Sequence, residues 1–248
     1  MRYCSYTLAI AMAAGLVAHI GGSIGAVSAS PAAPTGVVVA HYGFDAATGA
    51  IADNSGRGHT LTVIAGQGGA VRTIPHGSGQ ALAFPAKCTA TAKSRCPHVV
   101  LQTPAAADLD PGTHPIAYGA AVRLARNQTT AGQNVLQKGY SATTSQYKLQ
   151  VDGVAGLPSC VLVDDRTPAI RLVRSNVSVA DGTWHAIECR RADTVFSILV
   201  DGVLRGTRAV PAGLSVRNRG PLSVGGKGTS ANNDQFQGAL DNVWVRIG

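Results

Sequence analysis

The sequence predicts an all-β protein, with a dozen or more strands packed as two sheets. Short runs rich in Val, Ile and Leu recur along it, at the length and spacing of strands in a sandwich or barrel. Thirty glycines and twelve prolines supply the many turns such a fold needs. After Ala29 no long apolar period of 3.6 residues occurs, so helices have little to build on.

The order of elements follows from local signals. Residues 1–29 carry Arg2, then an apolar stretch, then small residues at Val27 and Ala29, which is the pattern of a secretory signal peptide. Gly15, Gly21, Gly22 and Gly25 weaken it as a membrane span, and no basic stop-transfer cluster follows. Cleavage and export are therefore expected, giving a secreted, extracellular product with no membrane span. Residues 30–36, SPAAPTG, read as a Pro/Ala linker, and residues 37–248 as one domain without a second linker or an internal repeat. Within that domain the strand candidates are VVVAHYGF, HTLTVIAG, QALAFP, HVVLQT, IAYGAAVRL, YKLQVDG, SCVLVDD, IRLVRS, WHAIECRR, VFSILVDG, PLSVGG and ALDNVWVRI.

The stretch DGTWHAIECRR, residues 181–191, looks like an active site because it crowds Trp, His, Glu and Cys together. Strand alternation separates them. His185, Ile187 and Cys189 share one face; Trp184, Ala186, Glu188 and Arg190 share the other. Asp181-Gly182 and Asp201-Gly202 supply turns on either side of a hairpin centred on Ala192-Asp193. His185 then reads as a hydrogen-bonded structural residue.

Loss of the signal removes Cys4 and leaves Cys88, Cys96, Cys160 and Cys189, for which three disulfide connectivities exist. Cys189 points into the sandwich and Cys160 begins the apolar strand SCVLV, so these two are expected to pair. The short Cys88–Cys96 loop is expected to close on itself. No C-x-x-C occurs, which argues against a zinc site.

The net charge is +8, and sixteen arginines against five lysines, with the Ala/Gly/Val richness, suggest a high-GC bacterial genome. Such a basic surface would attract an anionic glycan or cell-wall polymer, and it also serves plain solubility. No nucleic-acid partner is expected.

Several motifs taken together resemble a known family. DGTWHAIECRR followed by FSILVDGVLRG, then PLSVGGKGTSANNDQFQGALDNVWV, is similar to laminin G-like domains of the concanavalin A-like lectin/glucanase superfamily. YGFDAATGAIADNSGRGHTLTV resembles that family's first-strand element, and NVLQKGY with QYKLQVDG and PSCVLV resembles a bacterial, disulfide-bearing branch. The resemblance covers nearly all of residues 37–248. It implies a two-sheet antiparallel jelly-roll sandwich and a lectin-like role, with a glycan or a cell-surface protein as partner. A structural or protein-interaction module without a sugar ligand is the alternative.

The superfamily includes glucanases, so catalysis needs weighing. The glucanase branch carries E-x-D-x-x-E, and Glu188 is the only glutamate here. Asp108 with Asp110 has i, i+2 spacing but lies in the loop-like ADLDPG; Asp164 and Asp165 point to opposite faces if extended. The only G-x-S-x-G, residues 21–25, falls in the signal peptide. No catalytic residue is assigned, and a glycosidase is not expected.

The resemblance also implies calcium at the sandwich rim. Asp45 after the first strand and Asp241 in the last are the leading ligands, with Asp53 and Asp234 as lesser ones; the alternative is that each is a turn aspartate bonded to backbone N–H groups. For sugar contact, Tyr140 and Tyr147 flank the Ser/Thr loop and are expected to be free. Phe44, Phe84, Phe196, Phe236, Trp184 and Trp244 lie on or beside strands, where core packing is the default.

Overall fold

A computed structural model describes residues 35–46 and 50–248. The expected signal peptide and most of the linker lie outside the described residues.

Fifteen strands form among them, in two antiparallel sheets. The first sheet has the order β13 (Val203–Ala209), β12 (Val195–Val200), β11 (Trp184–Ala192), β6 (Ile116–Arg123), β15 (Ala239–Ile247), β4 (Gly79–Ala83), β3 (Arg72–His76), with β1 (Val37–Tyr42) also paired to β15. The second has the order β10 (Ile170–Arg174), β9 (Leu157–Val163), β8 (Gln146–Asp152), β7 (Gly132–Gly139), β14 (Leu222–Val224), β5 (His98–Gln102), β2 (Thr62–Gly66). Two sheets of such strands, packed face to face, are the jelly-roll sandwich of concanavalin A-like proteins.

Alternating residues of the two inner faces fill the core. Tyr118, Ala120 and Val122 of β6, Ile187 and Cys189 of β11, Val243 and Val245 of β15, and Tyr147, Leu149 and Val151 of β8 all belong to one cluster. Within it Cys160 of β9 bonds Cys189 of β11, tying one sheet to the other, and both cysteines are fully buried. Cys88 bonds Cys96 in an outer loop. Both expected pairings are present.

β15 organises the region that matters for function. One of its edges pairs with β6; the other pairs with β4 at Ala239 and Leu240 and with β1 from Val243 to Ile247. The handover falls at Asn242, whose φ of 44° marks a bulge between Asp241 and Trp244. A bulge bends its strand and re-aims the neighbouring side chains. Asp241 and Trp244 consequently both stand on the outer face.

Candidate functional site

The cluster around DGTWHAIECRR is architectural. On β11, His185 presents Nδ1 to Asp201 Oδ2 at 2.8 Å and Nε2 to Asp181 Oδ1 at 3.1 Å. Asp181 accepts the Thr183 N–H at 2.8 Å, and Asp201 accepts the Ala186 N–H at 2.9 Å. One imidazole thus joins the turn that precedes β11 to the turn that follows β12. Partial burial alone would lower the His185 pKa; the bonds to Asp201 and Asp181 outweigh it and hold it above its ordinary value. The Thr183 N–H and hydroxyl, aided by His185, hold the Asp181 carboxyl down at about 2. Glu188, on the opposite face, is clasped by Arg190.

Asp53 does similar work at the first-strand motif. It accepts the N–H groups of His41, Ser55 and His59 at 3.0, 2.9 and 3.1 Å, and the Ser55 hydroxyl at 2.7 Å. Burial pushes its carboxyl up, but these four donors prevail and leave it below the ordinary value. Its bonding capacity is taken up by the loop it shapes.

Asp45 and Asp241 do come together. Both line a rim cavity of about 470 Å³ with Gly43, His76, Gly77, Ser78, Gly79, Gln80 and Asn242. The walls come from the end of β1, the β3–β4 turn and the bulge of β15. Asp45 is exposed and accepts the Gln80 N–H at 2.9 Å through Oδ1. Asp241 is buried, with Oδ2 bonded to His76 Nδ1 at 2.5 Å and Oδ1 accepting the Asn242 N–H at 2.6 Å.

Beside the cavity, His76 stacks on Trp184 with ring centroids 3.9 Å apart and planes 22° from parallel. The two residues belong to strands separated by β4, β15 and β6 in the sheet order, and His76, which also bonds Asp241 of β15, lies over the outer face between them. Small residues make this possible: Ala186 pairs with Ala121, and Ala121 with Asp241, leaving a low floor on the outer face. The Arg123 guanidinium lies 5.2 Å from the Trp184 ring. Further along the face, Trp244 lies over Gly119, where a Cβ would come within 3.1 Å of its ring. Both tryptophans are half-buried on the outer face rather than in the core, correcting the sequence-based expectation.

The remaining candidates are dispersed. Tyr147 is fully buried, against Tyr118 and bonded to the Leu109 carbonyl at 3.2 Å, because its position in β8 faces the core; it is unavailable to a ligand. Tyr140 is exposed, with its hydroxyl tied to the Lys227 carbonyl. Asp234 is paired with Lys227 at 2.9 Å in a different cavity. Asp108 bonds His59 at 2.9 Å and Asp110 bonds Lys138 at 2.5 Å; Asp165 accepts the Ser215 hydroxyl at 2.7 Å. Sequence reasoning missed His76, Gln80 and Asn242; the only signal for the first two was the turn-rich PHGSGQ, and nothing marked Asn242.

The fold has relatives among solved structures. The binding domain of Paraclostridial Mosquitocidal Protein 1 superposes with a TM-score of 0.63 at 12% identity, covering 85% of this chain and 48% of that one. Domain 4 of AbnA, a GH43 extracellular arabinanase from Geobacillus stearothermophilus, solved with arabinotriose, gives 0.63 at 14%, covering 86% and 93%. The binding domain of Botulinum Neurotoxin DC in complex with SialylT gives 0.57 at 10%, covering 84% and 47%. The chain thus spans about half the length of the toxin binding domains it matches, and at these identities the likeness is one of fold. No curated protein matches it in sequence. A family model, Laminin_G_3, described as the concanavalin A-like lectin/glucanases superfamily, matches residues 98–246, which include β5 to β15 almost entire. The chain belongs to that family.

Proposed function

We propose that the protein is a secreted, non-catalytic, lectin-like domain whose glycan ligand occupies the rim cavity. The observation that carries this reading is the meeting of a polar cavity with the His76–Trp184 stack beside it. Asp45, Ser78, Gln80 and Asn242 offer acceptors and donors suited to sugar hydroxyls, and His76, a lining residue held by the Trp184 ring, sets an aromatic wall beside them. The volume falls within the roughly 300–1,000 Å³ of ordinary ligand pockets. The non-catalytic part is supported by the pairing of Asp108, Asp110 and Glu188 with cationic or imidazole groups, which leaves no free pair of carboxyl groups among them. Export is supported by the two disulfides, and no helix among the described residues is long and apolar enough to cross a membrane.

Calcium belongs to the same proposal. Among the described residues Asp45 Oδ2 carries no hydrogen bond, and Asn242, Gln80 and Ser78 line the same cavity, so oxygen-bearing side chains of the kind a hard cation takes surround it, with Asp45 and Asp241 as its carboxylates. Asp45 and Asp241 would hold it, with Asp241 exchanging its His76 contact. Millimolar calcium added to chelated protein is expected to raise Tm, and Asp241→Asn to remove the shift; a flat wild-type titration overturns the metal. A glycan array on the purified protein, with and without chelator, tests the ligand. Selective retention of one glycan class is expected, and an array without signal in either buffer overturns the lectin reading.

A further inference from the structure

Residues 54–107 hold no aspartate or glutamate, yet they carry Arg57, Arg72, Lys87, Lys93 and Arg95. Arg57 faces Asp108 at 3.9 Å, whereas no ion pair among the described residues engages the other four. The fold brings Arg72, at the start of β3, and Lys87, after β4, to one cavity of about 500 Å³. Gly68, Pro85, Thr89 and Pro97 form much of the remaining wall, and no carboxylate lines it. Lys87 is fixed in place: its Nζ donates to the Thr129 carbonyl at 2.8 Å, and its backbone N–H to Gln128 Oε1 at 2.7 Å. An ammonium has three donors, so two remain for a ligand. Cys88 also lines the cavity, and its bond to Cys96 closes the loop that carries Lys93 and Arg95, both exposed. Asp234, across that loop, is already paired with Lys227 at 2.9 Å. Elsewhere cations meet acids, as Lys138 meets Asp110, Arg174 meets Asp152 and Arg190 meets Glu188. A cleft walled by one sign of charge concentrates ions of the other sign. Here the charge runs on along the loop, so a small anion would meet only part of it and a chain of repeated anionic groups would meet it all.

We propose that this corner binds a polyanionic saccharide chain, with one carboxylate in the cavity between Arg72 and Lys87 and others along Lys93 and Arg95. The guanidinium offers a carboxylate two parallel N–H donors, and the ammonium adds a point charge. The site shares no residue with the rim cavity, so its failure and that of the rim ligand are separate results.

The test is binding of the purified protein to immobilised polygalacturonate, with the fully methyl-esterified polymer as its neutral match. Polygalacturonate is expected to bind, and to lose at least about tenfold in affinity as salt rises from about 0.05 M to about 0.3 M, through screening of exposed charges. Arg72→Gln with Lys87→Gln should weaken binding by about tenfold at low salt, and Lys93→Gln with Arg95→Gln, exposed on the loop, by at least about threefold. Arg171→Gln with Arg208→Gln removes the same net charge from β10 and β13 and should change affinity by less than about twofold. Equal losses in all three double variants would reduce the interaction to net charge and overturn the site. Equal binding of the esterified polymer, or no binding of either, would overturn it too. Inorganic phosphate should displace the polymer no better than chloride at matched ionic strength; stronger displacement would make this a small-anion site and overturn the polymer.

Discussion

At the residue scale, His185 gives the molecule a defined pH response. Its pKa is raised in the fold, so the stabilisation it contributes is complete below the ordinary imidazole value, about 6.5, and is lost as pH rises through the higher folded value. Asp181 acts oppositely: its lowered pKa contributes stability above about pH 4, lost as pH falls towards its folded value of about 2. Wild-type protein should therefore lose Tm relative to His185→Gln as pH rises above about 6.5; parallel profiles would refute the bridge. The sequence revealed that His185 lay apart from Glu188, since strand alternation suffices for that. It could not reveal that Asp181 and Asp201 close on the same ring, because their approach depends on the β11–β12 register.

At the scale of elements, the two disulfides should behave differently. Cys160–Cys189 closes a separation of 29 residues within the core, for which loop entropy gives about 3 to 4 kcal/mol. Cys160→Ala with Cys189→Ala should lower the urea midpoint by a corresponding amount, and a change below about 1 kcal/mol would contradict the cross-sheet role. Most strands were legible because they alternate or run apolar. β3 was not, since RTIPH contains Pro75 and no alternating apolar row; β13, VLRGTRA, is half-exposed at a sheet edge, and its polar side chains hide it. β3 was the costly omission, because the β3–β4 turn carries His76 and Ser78 into the rim cavity. The convergence of Asp45 with Asp241 was legible from the rim site at the first and last strands that the family resemblance implied. The bulge at Asn242 that brings Trp244 to the same face as Asp241 was not.

At the scale of the whole molecule, a fold that many proteins share carries a site that only these residues make; the fold alone assigns no ligand. Two expectations follow. Purified protein should release no reducing sugar from β-glucans or galactans, and turnover abolished by Asp108→Asn or Asp110→Asn would overturn the non-catalytic reading. The central claim is that a glycan occupies the rim cavity whose wall residue His76 is held by the Trp184 ring, and isothermal titration of the strongest array ligand against wild type and Trp184→Ala tests it most directly. Loss of one aromatic stacking partner is expected to weaken binding by about tenfold, roughly 1.4 kcal/mol, with the melting cooperativity of the variant retained. An unchanged Kd in the variant would contradict the account and place the ligand elsewhere on the sandwich.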